Sequence, residues 1–257
     1  MSNGDFAPLL DVLARYHDTG QVATLWWRDD DAAAASAAFD RLLEFSVRHE
    51  VALALAVVPA KVQERLGAIV EMAPAVTVLQ HGYAHQNYAS ATEKKIELGP
   101  QRPAQVIIGE LATGKLRLES LFGARALPVL VPPWNRLAPF LLPVLPELGY
   151  RGLSQFGPRA RVTPVQHLRQ VNCHVDPIDW RGGTGFIGAA AAAEMLAGHL
   201  SLRLQAGDSP AGSEPTGLMT HHAVHDEGMW QFLDRLLALT RAHKAVRWMD
   251  AREVFGL

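Results

Sequence analysis

The chain has 257 residues, of which 49% are hydrophobic and 19% charged, a composition typical of a globular protein with a large core. A formal net charge of −2 gives no support to a nucleic-acid partner, and a single cysteine, Cys173, excludes a disulfide within the chain. The sequence shows neither a signal peptide nor an apolar run of the roughly 18 residues that span a membrane. We therefore expect a cytoplasmic protein with no membrane span and no nucleic-acid partner.

Short apolar strands alternate with longer helical segments along the chain. The predicted strands cover residues 22–28, 51–58, 75–80, 127–131, 150–154, 165–175, 216–221 and 245–249. The predicted helices cover residues 36–49, 60–72, 101–122, 137–148, 188–205 and 228–243. Near-continuous apolar strands separated by helices indicate a parallel sheet covered by helices. Seven or eight such units favour a closed or nearly closed α/β barrel, and without a clear linker we expect one domain over 1–257.

The first predicted strand runs directly into three acids, in the sequence WWRDDD at residues 26–31. The plain alternative is a charged N-cap for the following helix, where the helix dipole favours negative charge. A strand end is also the edge on which α/β barrels build their ligand sites. The run is therefore a candidate site as well as a candidate cap.

Four other predicted strand ends carry polar groups: HGYAH at 81–85, VPPWNR at 131–136, HVDPIDW at 174–180 and LMTHH at 218–222. His81 and His85 are four residues apart, a spacing that places two imidazoles on one face of a helical turn. Two histidines with one nearby aspartate make a three-ligand set with an open position, as in catalytic zinc sites. The alternative for the two histidines is a surface or capping role.

In this order, the motifs resemble those of the polysaccharide deacetylases, the carbohydrate esterase family 4 or NodB-homology enzymes. The resemblance covers about residues 22 to 250. It implies a distorted (β/α) barrel of about seven strands. It also implies removal of an acetyl group from an N-acetylated sugar with one divalent metal ion, zinc first, with cobalt or nickel as alternatives.

Carried over from the family, the acid pair supplies a general base and then a metal ligand. The preferred assignment takes Asp29 as the base and Asp30 as the ligand beside His81 and His85, because the spacing from the acids to a later Ser and Phe resembles the family's. The alternative follows a variant Arg-x-Asp-Asp pattern. There Asp30 is the base and Asp31 the ligand, with Arg28 as the pattern's arginine.

The third motif departs from the family. Val131 stands where the family has the arginine that holds the base, and Arg28 or Arg136 is the candidate replacement. Pro133 and Trp134 keep the turn and are predicted to line the substrate site, together with Trp180 and Arg28. The resemblance makes the Trp134 backbone N–H an oxyanion donor. The plain alternative is an ordinary proline turn.

The last two motifs supply the general acid. The resemblance makes His221 the acid, ahead of its neighbour His222, and makes Asp179 the carboxylate that orients it; Asp176 belongs to the same motif. His225 and Asp226 are predicted to form a loop and a helix cap.

The resulting hypothesis is a metal-dependent amide hydrolase acting on an N-acetylated amino sugar. Without a signal peptide, the expected substrate is a nucleotide- or lipid-linked sugar used in O-antigen-type surface polysaccharide assembly. Two alternatives stay open: an amidase for a small ureide or other non-sugar amide, and a carbohydrate-binding barrel without catalysis. A dinucleotide-binding oxidoreductase is disfavoured because no G-x-G-x-x-G follows the first strand.

Overall fold

The computed structural model describes residues 3–207, 209 and 211–257. Its helices are α1 (Ala7–Asp18), α2 (Ala37–His49), α3 (Arg65–Glu71), α4 (Ala104–Phe122), α5 (Ala189–Ala206), α6 (Glu227–Ala242) and α7 (Ala251–Phe255). Its strands are β1 (Ala23–Ala32), β2 (Leu53–Val57), β3 (Val76–His81), β4 (Ala126–Val131), β5 (Gly152–Leu153), β6 (Arg169–Gln170), β7 (Ile178–Asp179), β8 (Gly185–Phe186), β9 (Thr216–Thr220) and β10 (Val246–Trp248).

The main sheet is parallel and follows the order β10-β1-β2-β3-β4-β5-β6, and β9 also pairs with β1. Asp29 of β1 is the partner of both Leu55 in β2 and Thr220 in β9, so β2 and β9 lie on opposite edges of β1. A parallel bridge between Val175 and Leu218 joins the chain after β6 to β9. This path of seven strands confirms the predicted distorted (β/α) barrel.

Several predicted elements differ in the structure. Residues 137–148 contain the 3₁₀ segment Pro139–Val144 instead of an α-helix, because Pro143 has no backbone N–H to donate. The helix expected at 60–72 is shortened to α3, and the strand expected at 165–175 is a regular strand only at β6. Helices α1 and α7 and the hairpin β7–β8 were not predicted.

Packing in the barrel core fixes the position of β1 relative to β9, and with it one rim of the sheet. Trp26 and Trp27 are both buried, and the Trp27 indole donates a hydrogen bond to Thr220 Oγ1 at 2.8 Å, which ties β1 to β9. Because the strands are parallel, the carboxyl ends of β1, β3, β4 and β9 open on the same rim. Across the described residues, every helix is too short or too polar to cross a bilayer.

Candidate functional site

Asp31, His81 and His85 form a three-residue cluster on this rim. Asp31 Oδ1 lies 3.2 Å from His81 Nε2 and 3.1 Å from His85 Nε2. The three potential ligand atoms all lie within 4.8 Å of one another. The cluster joins the carboxyl end of β1 to the end of β3 and the loop after it.

A β-bulge selects which acid joins the histidines. The register between β1 and β2 shifts between Asp29 and Ala32, and Asp31 has a left-handed backbone with φ of 70°. A bulge re-aims side chains that strict alternation would place on fixed faces. The preferred prediction took Asp30 as the third ligand, but the acid that the structure brings to His81 and His85 is Asp31, the ligand of the alternative assignment.

The acids do not cap the following helix. The N-cap of α2 is Ser36, whose hydroxyl accepts a hydrogen bond from the Phe39 N–H at 3.1 Å. The charged-cap alternative for the acid run is therefore wrong. The acid run belongs to β1 and to the rim instead.

The two histidines are held in place by their surroundings. His81 Nδ1 lies 2.9 Å from the carbonyl oxygen of Val131, so its Nε2 is the nitrogen that faces the cluster. His85 has a left-handed backbone with φ of 51°, and its ring centroid lies 4.4 Å from that of Trp134. The buried Glu97 carboxylate accepts hydrogen bonds from the Tyr83 N–H at 3.1 Å and the Ala84 N–H at 2.7 Å, which fixes the loop between the histidines.

The electrostatics of the cluster fit a bound cation. Burial would raise the pKa of Asp31, but the close contacts of its carboxylate with the His81 and His85 imidazoles hold it well below its usual range. Asp31 Oδ1 is buried, yet no described residue gives it a well-directed hydrogen bond. Two imidazole nitrogens and one carboxylate oxygen around a common point are a donor set that suits zinc and similar divalent ions.

Asp30 lies beside this cluster and is paired with Arg28. Arg28 Nε donates to Asp30 Oδ1 at 2.7 Å and Arg28 Nη2 to Asp30 Oδ2 at 2.9 Å, a two-point contact that is fully buried on the arginine side. Arg28 also donates to Ser154 Oγ at 2.6 Å and to Asn135 Oδ1 at 3.0 Å. Arg136, the other candidate, instead donates to the Lys95 carbonyl oxygen at 2.7 Å. Of the two candidate arginines, Arg28 is therefore the one that contacts an acid of the run.

Asp29 does not have the environment predicted for a base. Its carboxylate is fully buried and accepts hydrogen bonds from Thr220 Oγ1 at 2.7 Å, from the His222 N–H at 3.0 Å and from His222 Nδ1 at 2.5 Å. With three protein donors on its two oxygens, the carboxylate has little capacity left for a water molecule. The preferred prediction of Asp29 as base does not fit this geometry.

His221 directly follows β9 and lies next to Trp180. The ring centroids are 4.7 Å apart in an edge-to-face arrangement, and His221 Nδ1 is buried with no hydrogen-bond partner among the described residues. Burial raises the pKa of Asp176, against the opposing influence of nearby His221 and of the Trp180 indole, which donates to Asp176 Oδ2 at 2.7 Å. These contacts favour His221 over His222 as the histidine that faces a substrate.

Asp179 is not the carboxylate that faces His221. Its side chain is exposed, and Asp179 Oδ1 accepts hydrogen bonds from the Arg181 N–H at 2.9 Å and the Gly182 N–H at 2.8 Å. Those bonds close the turn between β7 and β8 and lower the pKa of Asp179. Asp176, three residues earlier, is instead the acid of this motif whose charge interacts with that of His221.

The turn after β4 keeps the predicted residues at the rim. Pro133 is buried, and Trp134 is half-buried with a left-handed backbone at φ of 53°. The Trp134 N–H has no acceptor among the described residues. Trp180 is 48% exposed, so its ring is open to a ligand. Asp226, as predicted, caps α6 by accepting from the Met229 N–H at 2.7 Å.

Comparison with known proteins gives structural likeness only. No family model and no curated protein matches the chain. A protein from Mycobacterium smegmatis assigned as a polysaccharide deacetylase superposes with a TM-score of 0.67 at 14% identity, over 91% of this chain and 90% of that one. The Bc1960 peptidoglycan N-acetylglucosamine deacetylase gives 0.59 at 16% identity, over 91% and 89%.

A third structure, a family 4 acetyl xylan esterase from Clostridium thermocellum in complex with a cobalt ion, gives a TM-score of 0.54 at 16% identity, over 91% of this chain and 90% of that one. The chain therefore has the fold of the polysaccharide deacetylases. The resemblance seen in the sequence motifs is confirmed at the level of the fold.

Proposed function

We propose that this protein is a divergent polysaccharide deacetylase that removes the N-acetyl group of an amino sugar with one divalent metal ion. Zinc is the first choice for the metal, with cobalt or nickel as alternatives. The observation that carries the proposal is the cluster of Asp31, His81 and His85, beside an Asp30 that Arg28 grips at two points. Asp31, His81, His85 and the Asp30–Arg28 pair lie on the rim at the carboxyl ends of the strands, where barrel enzymes carry out their chemistry.

Asp31, His81 and His85 would hold the ion. When bound, such an ion polarises an amide carbonyl and lowers the pKa of water to about 7. Asp30 accepts the proton of the attacking water. The Arg28 guanidinium fixes the orientation of the Asp30 carboxylate, because it donates one hydrogen bond to each carboxylate oxygen.

His221 donates a proton to the leaving amine of the sugar, with Asp176 as the carboxylate that orients it. Without that proton the reaction intermediate would expel water instead of the amine. The free N–H of Trp134 supplies a donor for the developing oxyanion. The exposed Trp180 ring offers an apolar face for a sugar.

We also propose that the acetamido sugar is linked to a nucleotide or a lipid and is used in O-antigen-type surface polysaccharide assembly, with the enzyme in the cytoplasm. Fractionation of cells that express the protein tests the location. Comparison of linked precursors with finished polymer as substrates tests the sugar class. Activity on polymer alone would contradict this part of the proposal.

The test of the chemistry is metal-dependent acetate release from N-acetylated sugars. We expect the Asp30→Asn and His85→Ala proteins to lose most activity, because one lacks the base and the other a metal ligand. Asp40→Asn is the matched control, since Asp40 is an exposed acid on α2. Metal-dependent release that survives both changes would refute the proposed mechanism, and a protein that binds no divalent ion would favour a non-catalytic role.

A further inference from the structure

One segment of the chain is basic and lacks acids. Residues 148–175 contain four arginines and no aspartate or glutamate, although the whole chain has a net charge of −2. The segment supplies β5 and β6 and the loop between them. Of these four arginines, Arg161 lines the groove described next, and its positive charge attracts anionic ligands to that groove.

The same segment forms most of a groove of about 470 Å³ beside the proposed catalytic site. Pockets of this size lie in the range that suits small-molecule ligands, roughly 300–1,000 Å³. The residues used in the argument are Asn135, Gln155, Phe156, Arg161, Gln170 and Asn172. Asn135 connects the groove to the site, because Asn135 Oδ1 accepts the hydrogen bond from the Arg28 guanidinium that grips Asp30.

Side-chain amides make one wall of the groove rigid. Gln155 Nε2 donates to the Asn135 carbonyl oxygen at 3.1 Å, and Gln170 Nε2 donates to Gln155 Oε1 at 3.1 Å and to Asn172 Oδ1 at 3.2 Å. Asn172 Nδ2 in turn donates to the Gly157 carbonyl oxygen at 2.7 Å. These partners hold neutral polar groups in fixed positions, and amides in such an array suit the hydroxyl groups of a sugar or ribose.

Arg161 and Phe156 give the groove its charge and its apolar face. Arg161 is exposed and forms no ion pair or hydrogen bond with the part of the chain that the structure describes. Phe156 is 43% exposed, so its ring offers an open apolar face to the groove. An unpaired guanidinium beside an open aromatic ring matches a ligand with a phosphate group and an apolar or planar part.

We propose that this groove binds the diphosphate-bearing part of the sugar substrate, with Arg161 paired to phosphate and Phe156 against the attached nucleoside or lipid. The ligand class rests on the proposed function, since the acetamido sugar next to the diphosphate must reach the Asp31 cluster. Nucleoside diphosphates and prenyl diphosphates share this chemistry. The amide wall favours a diphosphate flanked by hydroxyl-bearing groups over a bare anion.

Calorimetric binding to the metal-loaded protein tests the groove without any need for turnover. The probes are uridine diphosphate, geranyl diphosphate and the neutral N,N′-diacetylchitobiose. We expect Arg161→Gln to weaken the binding of at least one diphosphate by roughly tenfold or more, since a charged hydrogen bond is lost, and to leave chitobiose binding unchanged. Arg65→Gln is the matched control, because Arg65 is an exposed arginine of α3 that does not line the groove.

Two outcomes would overturn the proposal. One is equal diphosphate binding by the Arg161→Gln, Arg65→Gln and wild-type proteins. The other is diphosphate binding that disappears in His85→Ala, because the phosphate would then be held by the metal ion alone. Preference for uridine diphosphate identifies a nucleotide as the attached group, and preference for geranyl diphosphate identifies a lipid; both support the groove.

Failure of the groove and failure of the proposed function give different results. If Arg161→Gln weakens diphosphate binding but no N-acetylated sugar releases acetate, the deacetylase proposal is refuted and the proposal that the groove binds diphosphates is supported. Suppose instead that acetate is released from neutral sugars, and that Arg161→Gln changes neither diphosphate binding nor the ratio of kcat/KM between linked and neutral substrates. The proposal for the groove is then refuted, while the deacetylase proposal is supported.

Discussion

Asp29 Oδ1 lies 2.5 Å from His222 Nδ1, which joins the first acid of the run to the second histidine of the HH pair. Asp29 is adjacent in sequence to Asp30, and His222 is adjacent to His221. Neither Asp29 nor His222 belongs to the cluster of Asp31, His81 and His85. Burial opposes both charges, yet the mutual attraction prevails, since the pKa of Asp29 is lowered and that of His222 is raised. The pair is a buried link between β1 and the end of β9.

This pair predicts a loss of stability when one partner is removed. Asp29→Asn should lower the free energy of unfolding by about 3–5 kcal/mol, because it leaves the buried His222 without its counter-charge. The double variant Asp29→Asn with His222→Gln should recover part of that loss. Urea unfolding at neutral pH measures both. If Asp29→Asn unfolds like wild type but abolishes activity, Asp29 is the base after all.

The contact of Arg28 with Asp30 predicts a large effect of a conservative change. Arg28→Lys keeps the charge but loses the two-point contact with Asp30, so we expect kcat to fall while the affinity for the metal stays near that of wild type. Steady-state kinetics with cobalt titration separate the two effects. Arg136→Lys is the control, and it should leave kcat unchanged.

The neighbours His221 and His222 should differ in kinetics. His221→Gln should lower kcat by about 10²- to 10⁴-fold, the usual cost of removing a general acid. His222→Gln should mainly lower stability. Steady-state kinetics and urea unfolding of the two variants distinguish the two roles. A His221→Gln enzyme with wild-type kcat would assign the acid elsewhere.

A histidine on the other side of the barrel predicts a pH dependence of stability. The ring of His199 stacks on His174 with centroids 3.6 Å apart, and burial, with the charges of His174 and Arg203, lowers the pKa of His199 to about 3. The unfolded chain takes up a proton near the ordinary pKa of about 6.5, whereas the folded chain resists it until about 3.

His199 therefore contributes stability above pH 6.5, and that contribution is lost as the pH falls from 6.5 towards 3. The loss amounts to about 1.4 kcal/mol for each pH unit while only the unfolded chain is protonated. His199→Gln should flatten this part of the curve. Urea unfolding of both proteins from pH 7 to pH 4 measures the slopes, and equal slopes would contradict the assignment.

Sequence patterns predicted the barrel and singled out His81 and His85, but not which acid lies beside them. The two histidines do lie close together, although His81 ends β3 and His85 is a left-handed loop residue, so the helical turn expected from their spacing of four is absent there. The choice among the three acids depends on a bulge and a left-handed residue at Asp31, and no pattern in WWRDDD signals a bulge. Alternation alone cannot assign faces once a strand gains an extra residue.

Other site residues depend on contacts distant in sequence. Glu97 holds the loop of His85 from 12 residues away, within a segment with no recognisable motif. The resemblance assigned the orienting role to Asp179, but the turn of the hairpin β7–β8 leaves the Asp179 side chain exposed. The part of the site that sequence could not predict is therefore the part set by tertiary hydrogen bonds.

The most direct test of the central claim is the affinity for cobalt or zinc of the Asp31→Asn and Asp30→Asn proteins, measured by titration of the metal-free forms. The structure predicts that wild type binds one equivalent. It predicts that Asp31→Asn weakens binding by roughly a hundredfold or more, and that Asp30→Asn, a change beside the ligands, weakens it by only about tenfold, the lower end of the effects seen for such neighbours. Wild-type affinity in Asp31→Asn together with lost binding in Asp30→Asn would contradict the assigned metal centre.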